Sequence, residues 1–388
     1  MSVLPSAVTG ALADYLAGFT EDPGYLDYGR IGPVSAAVAA ETLGQTEILG
    51  RARFGSLDHF GQQDQRMREA VAAVTGFAPD QIAAQPNTSM GLMHAMFGLT
   101  GDVLLSPADF PSVPFAAMRA AEALHVATPQ WLVAAESSDT VGQVTPGQVR
   151  DQLTPSTVAV AVSLVDSRTG FRADLDGIRQ VIGDRLLLVD AIQGFGVLDA
   201  DYTAADVVAT GGQKWVRAGW GTGFLALSDR AIERLTPVVS GFVGTGADDV
   251  VPWDDVPPPV RAASAFRVSN ADGVAQARFA TALEEIGRVG VAAIESFVTT
   301  NTDRVIDLAD EFALPVVSAR DPRDRAGLIV LQPPAERLTA LTAALHNHGI
   351  TATIRQNEVR LSVHAALADE TVDMLRGAFS TYAASARY

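Results

Sequence analysis

The stretch "RLLLVDAIQGFGVLDADYTAADVVATGGQKW", residues 185–215, decides how the rest of the chain is read. It holds two short runs, 186–189 and 207–209, that are apolar at every position rather than at alternate ones. Runs of that kind belong to strands covered on both faces, which are usually parallel and joined by helices. The first run stops at Asp190 and the second leads into Gly211, Gly212, Gln213 and Lys214. Lys214 is the single lysine among 28 lysines plus arginines. In an arginine-rich chain one lysine can survive by chance on a solvated face. Alternatively it is kept because arginine is permanently charged, whereas a desolvated lysine can lose its proton and attack an aldehyde. Its neighbours Gly211, Gly212 and Trp215 are not those of a solvated surface.

The same alternation extends in both directions. Upstream, the strand-like "DVLLSP" (102–107), "QWLVAA" (130–135) and "TVAVAVSLV" (157–165) are separated by the helical "VPFAAMRAAEALH" and "TPGQVRDQL", and "DLDGIRQVIGD" precedes the stretch itself. Helical patterns also cover "DQRMREAVAAVTGF" and "QIAAQPNTSMGLMHAMFGLTG". The fold class is therefore α/β, a large mostly parallel sheet covered by helices. Ligands of such folds sit beyond the carboxyl ends of the strands, which groups "PADFPS", "VDSRTG", "DAIQG" and "GGQKW" around one crevice. Prolines and acids break the pattern in "GADDVVPWDDVPPPVRAAS" (246–264), a crossover. Long helical segments follow, then a β-α-β-β-α pattern that makes a small α+β domain. The expected division is an N-terminal segment 1–35, a large domain 36–250 and a C-terminal domain 251–388.

A formal charge of −17 argues against nucleic acid as a partner, because phosphate binding needs a basic face. No apolar run approaches the roughly 20 residues of a membrane helix, and "MSVLPSAVTGALADYLAGF" has no basic region ahead of its apolar residues. A cytoplasmic protein without membrane partners is expected. Zero cysteines remove thiolate metal sites and a cysteine nucleophile. His346 and His348 stand two apart, which on a helix points them in different directions, and no metal site is expected.

Asp190 ends a very apolar strand, where a carboxylate needs a cap, an arginine or a cationic ligand as partner. Gln193 can donate into the same crevice. Asn87, Thr88 and Ser89 precede an apolar helix, as a plain cap or as an anion site where phosphate would sit on free amides. Phe110 lies on a loop after a strand, as a packing plug or as a platform for a flat ring. Taken together these groups suit a planar, phosphorylated aldehyde whose ring nitrogen wants a carboxylate, and pyridoxal 5'-phosphate meets each condition.

The order "NTS", "DFPS", "VDSRTGFRADLDGI", "VDAIQGFGVLDADYTAADVVATGGQKW" and "GWGTGFLAL" resembles the class V aminotransferase family of fold type I enzymes, over most of the chain. That family includes cysteine desulfurases, isopenicillin N epimerase-like proteins and kynureninase. The resemblance implies the pyridoxal phosphate-dependent transferase fold, with the large domain and small C-terminal domain already described. It implies that Lys214 forms the internal aldimine and moves the α-proton, while Asp190 pairs with the ring nitrogen. Gln193 would bond the ring hydroxyl, Phe110 would stack on the ring, and Thr88 and Ser89 would hold the phosphate. Gln213 replaces a common histidine and can donate to phosphate. Thr222 matches a residue that reaches the partner subunit's cofactor, which implies a homodimer with shared sites. Arg360 in "EVRLSVH" matches the arginine that holds the substrate carboxylate, or else is a surface strand arginine. Residues 268–270, "VSN", stand where many members have a Gly-Thr pair. The expected activity is aminotransferase-like, on a small amino acid. A C–S or kynureninase-like lyase, or an epimerase, is the alternative. With no cysteine to accept sulfur, a cysteine-dependent desulfurase is expected to be excluded.

Overall fold

A computed structural model describes residues 6–133, 143–246 and 253–385. Three helices open the described chain, α1 (Ser6–Ala17), α2 (Ala36–Arg51) and α3 (Asp58–Thr75). The first sheet is then laid down as β1 (Ile82–Ala84), α4 (Thr88–Gly98), β2 (Gly101–Leu105), α5 (Ser112–Leu124), β3 (Ala127–Trp131), α6 (Pro146–Gln152), β4 (Thr157–Ser163), α7 (Leu175–Ile182), β5 (Leu186–Asp190), β6 (Val207–Gly211) and β7 (Gly223–Leu227). After α8 (Asp229–Arg234), α9 (Gly273–Val289) and α10 (Val291–Glu311) come β8 (Leu328–Leu331), α11 (Leu338–Asn347), β9 (Thr353–Ile354), β10 (Val359–Ser362) and α12 (Asp369–Ala384).

The seven strands lie in the order β1-β7-β6-β5-β4-β2-β3. Strands β6, β5, β4, β2 and β3 run parallel, and β7 and β1 are antiparallel at one edge. The pleat explains the continuous apolar runs. Leu187 and Val189 of β5 join one core with α3, α7 and α9, while Leu186 and Leu188 join a second core with α4 and α5. Capping sets where the crossover helices start. Thr145 and Gln148 form a reciprocal capping box ahead of α6, with Pro146 in its first turn, and Asp174 accepts from the Gly177 amide at 2.8 Å to start α7.

Strand β1 departs from the helical reading of 81–101. Three residues are too few to show a period, and Ile82, Ala83 and Ala84 are strand only because β7 offers them an edge. The expected strand at 130–135 runs past residue 133, where the described residues stop. The boundary between 250 and 251 and residues 247–252 of the crossover also lie outside them. Helix α9, which follows that crossover, packs on α2 and α3. A third core gathers Val305, Leu308, Leu341, Leu361, Leu375 and Phe379 around the antiparallel sheet β8-β10-β9.

The N-terminal segment straps the second sheet to the first. The Leu26 amide donates to Thr351 O and the Ser362 amide to Leu26 O, while further along the Gly32 amide donates to Gln213 O at 2.8 Å. Among the described residues no helix is long and apolar enough to cross a membrane.

Candidate active site

The carboxyl ends of the central strands meet as the register predicts. Ser163 ends β4 directly beside Asp190 at the end of β5, which is paired in turn with Ala209 of β6. Four residues past Ala209 the chain turns through the lysine loop. Asp190 is 2% exposed and Lys214 8% exposed. One Asp190 oxygen, Oδ1, accepts from the Ile192 amide at 3.0 Å, while Oδ2 is buried with no partner in the chain. Burial chiefly drives the Asp190 pKa up, with the Asp109 carboxylate adding to the rise and Lys214 opposing it. Burial also drives the Lys214 pKa down, and the Arg360 and Arg355 guanidiniums lower it further while Asp190 opposes them. The amine is thus moved towards its neutral, nucleophilic form.

Phe110 presents its ring 5.2 Å from Lys214 Nζ and is 40% exposed, so it faces the crevice instead of plugging the core. Thr88 opens α4, where Asn87 caps by accepting from the Met90 amide at 3.0 Å. The first amides of a helix have no carbonyl one turn back, and the buried Thr88 hydroxyl likewise has no partner. Ser89 Oγ meets Ser112 Oγ at 2.7 Å, which joins the starts of α4 and α5. Arg360 sits in β10, 4% exposed, with NH1 donating to Ser167 O at 3.0 Å and NH2 to Thr353 Oγ1 at 3.1 Å. Its Nε is buried without a partner, and burial lowers its pKa to about 10.

Two expected residues are otherwise engaged. Gln193 Nε2 donates to Gly29 O at 2.9 Å and its Oε1 accepts from Trp215 Nε1 at 2.9 Å, which leaves one amide hydrogen for a ligand. Thr222 donates to Gly219 O at 2.6 Å and lines a cavity of about 420 Å³ together with Gln85, His94 and residues 267–272. Neither Lys214 nor Asp190 lines that cavity. Gln213 is partly buried, its Oε1 folded back over Gly211 so closely that a Cβ there would lie 2.3 Å from it.

Several supports were not legible as a motif. Arg217 has a positive φ of 63° and is 1% exposed. It ties the lysine loop to the N-terminal strap through Glu21 at 2.5 Å and Pro33 O, with its guanidinium 3.5 Å from the Phe19 ring centroid. A Cβ on Gly32 would come within 2.2 Å of Lys214 O. A Cβ on Gly29 would lie 3.2 Å from the Arg360 guanidinium, so a bare backbone is what lets Arg360 settle beside the strap.

A buried amine beside a buried acid, at the carboxyl ends of a parallel sheet, defines a pyridoxal phosphate enzyme of fold type I. Two unpartnered atoms fit that cofactor, Asp190 Oδ2 for a ring nitrogen and Thr88 Oγ1 for a phosphate, and the Lys214 amine would take the aldehyde. A model of the family "Aminotransferase class-V" matches residues 58–252, half of the chain, and the chain belongs to that family. With the family comes its cofactor, pyridoxal phosphate.

A curated relative, a probable cysteine desulfurase of Methanothermobacter thermautotrophicus, is 28% identical over 207 residues. The match covers 50% of this chain and 48% of that protein, so it spans about half the length of the relative. Two solved structures share the fold. A complex of the cystine C-S lyase C-DES with its product cysteine persulfide has a TM-score of 0.80 at 18% identity, covering 93% of this chain and 97% of that one. The apo cysteine desulfurase of Thermococcus onnurineus NA1 has a TM-score of 0.78 at 19% identity, covering 92% and 93%. These similarities overturn the expected exclusion of a cysteine desulfurase.

Proposed function

We propose that this chain is a pyridoxal phosphate-dependent carbon–sulfur lyase acting on a small sulfur-containing amino acid. The reading is supported by the burial of Lys214 within the electrostatic reach of Asp190 and Arg360, and the C–S chemistry of the similar proteins favours it over the transamination expected first. Lys214, Asp190, Gln193, Thr88, Ser89 and Gln213 would hold the cofactor, with Phe110 against its ring. When bound, it supplies an electron sink for negative charge at a substrate α-carbon.

The residues do the rest. Arg360 binds the α-carboxylate through its free Nε edge, in the fork geometry that suits a carboxylate. Lys214, its proton affinity lowered by burial and two guanidiniums, takes the α-proton as general base. Asp190 would hold a proton at the cofactor's ring nitrogen through its unpartnered Oδ2. Phe110 covers the crevice and keeps water from the reacting carbon. Loss of the α-proton would be matched by cleavage of the Cβ–S bond, the bonding pair leaving on sulfur as a thiolate or persulfide and the carbon skeleton taking up water to give pyruvate and ammonia. Thr222 and residues 268–270, together on the 420 Å³ cavity, are the surface at which a second copy would complete a homodimer. A cytoplasmic location remains part of the proposal.

The reconstituted enzyme is tested with L-cystine and L-cysteine, with and without a keto acid. Release of sulfur without the keto acid is expected. Transfer of the amino group to the keto acid with no sulfur release would refute a lyase. Lys214→Ala should abolish the visible absorbance of the protein-linked cofactor and cut turnover by at least about 10²-fold; an unchanged spectrum would refute the assignment of the lysine.

A further inference from the structure

Strand β4 outruns its neighbour. Pairing with β2 ends where Leu105 meets Ala161, whereas β4 continues to Ser163 beside Asp190 of β5. Successive amides of a strand point to opposite sides. The Leu164 amide donates to Asp190 O at 2.9 Å, on the β5 side, so the Ser163 amide faces the side where β2 has already stopped. A buried donor left there would be unanswered. Asp109, on the turn 106–111 that follows β2, answers it, with Oδ2 accepting from the Ser163 amide at 3.1 Å. Its Oδ1 accepts from the Ser163 hydroxyl and, at 2.8 Å, from the Phe110 amide.

Three donors thus meet one side chain, and a carboxylate, which accepts on both oxygens and donates on neither, can take them all. An asparagine would turn its own N–H onto one of them. Capping the turn alone, or the strand end alone, would need fewer bonds. The acid is also an expensive choice. Desolvation raises its pKa, the bonds from Ser163 and Phe110 oppose that rise, and the Asp166 carboxylate adds to it. Asp190 stands within its electrostatic reach on β5. An acid desolvated near two other carboxylates weakens the fold at neutral pH, so stability alone does not explain it.

What the acid holds is the residue next to it. The Phe110 ring lies 5.2 Å from Lys214 Nζ and is 40% exposed, so packing does little to aim it and its backbone does the aiming.

We propose that Asp109 is a positioning residue of the active site: its carboxylate clasps the turn after β2 to the end of β4 and so holds the Phe110 ring against the cofactor beside Lys214. The inference rests on the placing of Phe110 and Lys214 proposed above and is independent of the reaction that follows.

The full chain, freed of cofactor, is titrated with pyridoxal phosphate, and the visible absorbance and circular dichroism of the bound cofactor are followed in wild type, Asp109→Asn, Phe110→Ala and the double variant. Each single substitution should weaken binding by about tenfold and alter the dichroism band. Because Asp109 acts through the ring, Asp109→Asn should cost no more than about twofold once Phe110 is already Ala, the scatter of independent sites. Ser163→Ala removes one of the three donors and keeps the charge; it should weaken binding in the same direction by less, and it carries the test if Asp109→Asn does not fold. A full tenfold loss on the Phe110→Ala background overturns the proposal, as does wild-type affinity and dichroism in Asp109→Asn, or in Ser163→Ala where that variant stands in. A wild type that takes up no cofactor overturns the reading of the site and the clasp with it.

Discussion

Replacing Arg217 by Met should cost the protein about 3–5 kcal/mol, the range for breaking a buried ion pair by removing one partner. The side chains of Arg217 and Glu21 are 1% and 13% exposed, so solvent screens little of their interaction. Met preserves most of the aliphatic stem and removes the guanidinium. Glu21 is left with Tyr28 OH at 2.6 Å as its partner, Pro33 O loses its donor, and the cation over Phe19 is gone. The positive φ is strained for Met as it is for Arg, so backbone strain cancels in the comparison. The assay is denaturant unfolding of the single variants, the double variant and the wild type, analysed as a double-mutant cycle. Adding Glu21→Gln to Arg217→Met should recover part of the loss, because it removes the stranded charge. The strap also positions Gln213 O and thereby Lys214, so the single variant should bind cofactor more weakly as well. A loss below about 1 kcal/mol, or no recovery in the double variant, would refute the reasoning, since either result places the pair among the inexpensive surface contacts.

Two further predictions test the surroundings of the lysine and the acid. Gly32→Ala should displace the lysine loop, because its Cβ would lie 2.2 Å from Lys214 O and 2.6 Å from Arg217 Cγ; cofactor affinity read from visible absorbance should drop, and wild-type affinity would count against the close approach. Asp109, part-buried beside Ser163, has its pKa raised to about 6, chiefly by desolvation of its carboxyl. An acid whose folded pKa is raised binds its proton more tightly in the native state, so its contribution favours folding at low pH and is lost as pH rises from about 4 to 6. Whatever its constant offset, the stability of Asp109→Asn relative to wild type should therefore climb over that window, by roughly 1.4 kcal/mol per pKa unit, and stay level above it. A difference that does not vary between pH 4 and pH 7 would disprove the shift.

Much of the sheet was legible because its strands are covered on both faces. Leu186, Leu187, Leu188 and Val189 all have to be apolar, whichever face each one meets, and the same holds for β4. Strand β1 was not legible, since its three residues owe their conformation to a neighbour 140 residues away. Phe110, Thr88, Asp190 and Lys214 could be singled out because each follows a strand or opens a helix, positions where topology forces residues together. Arg217 and the glycines of the strap could not, because an arginine after a lysine loop looks like any other surface cation until Glu21 and Phe19 are brought beside it.

By itself, then, the amino-acid sequence determined the α/β class and the resemblance to the class V family. It also determined the chemistry of the amine, since Lys214 is the only side chain here able to take up an aldehyde. Tertiary structure alone decided how that amine is held and what it faces. Local pattern reports the burial and spacing of neighbours in the chain. The pairing of Arg217 with Glu21, of Gln193 with Gly29 and Trp215, and of Arg355 and Arg360 with one carbonyl joins groups 22 to 196 residues apart, where only the folded path of the backbone brings them within hydrogen-bond reach.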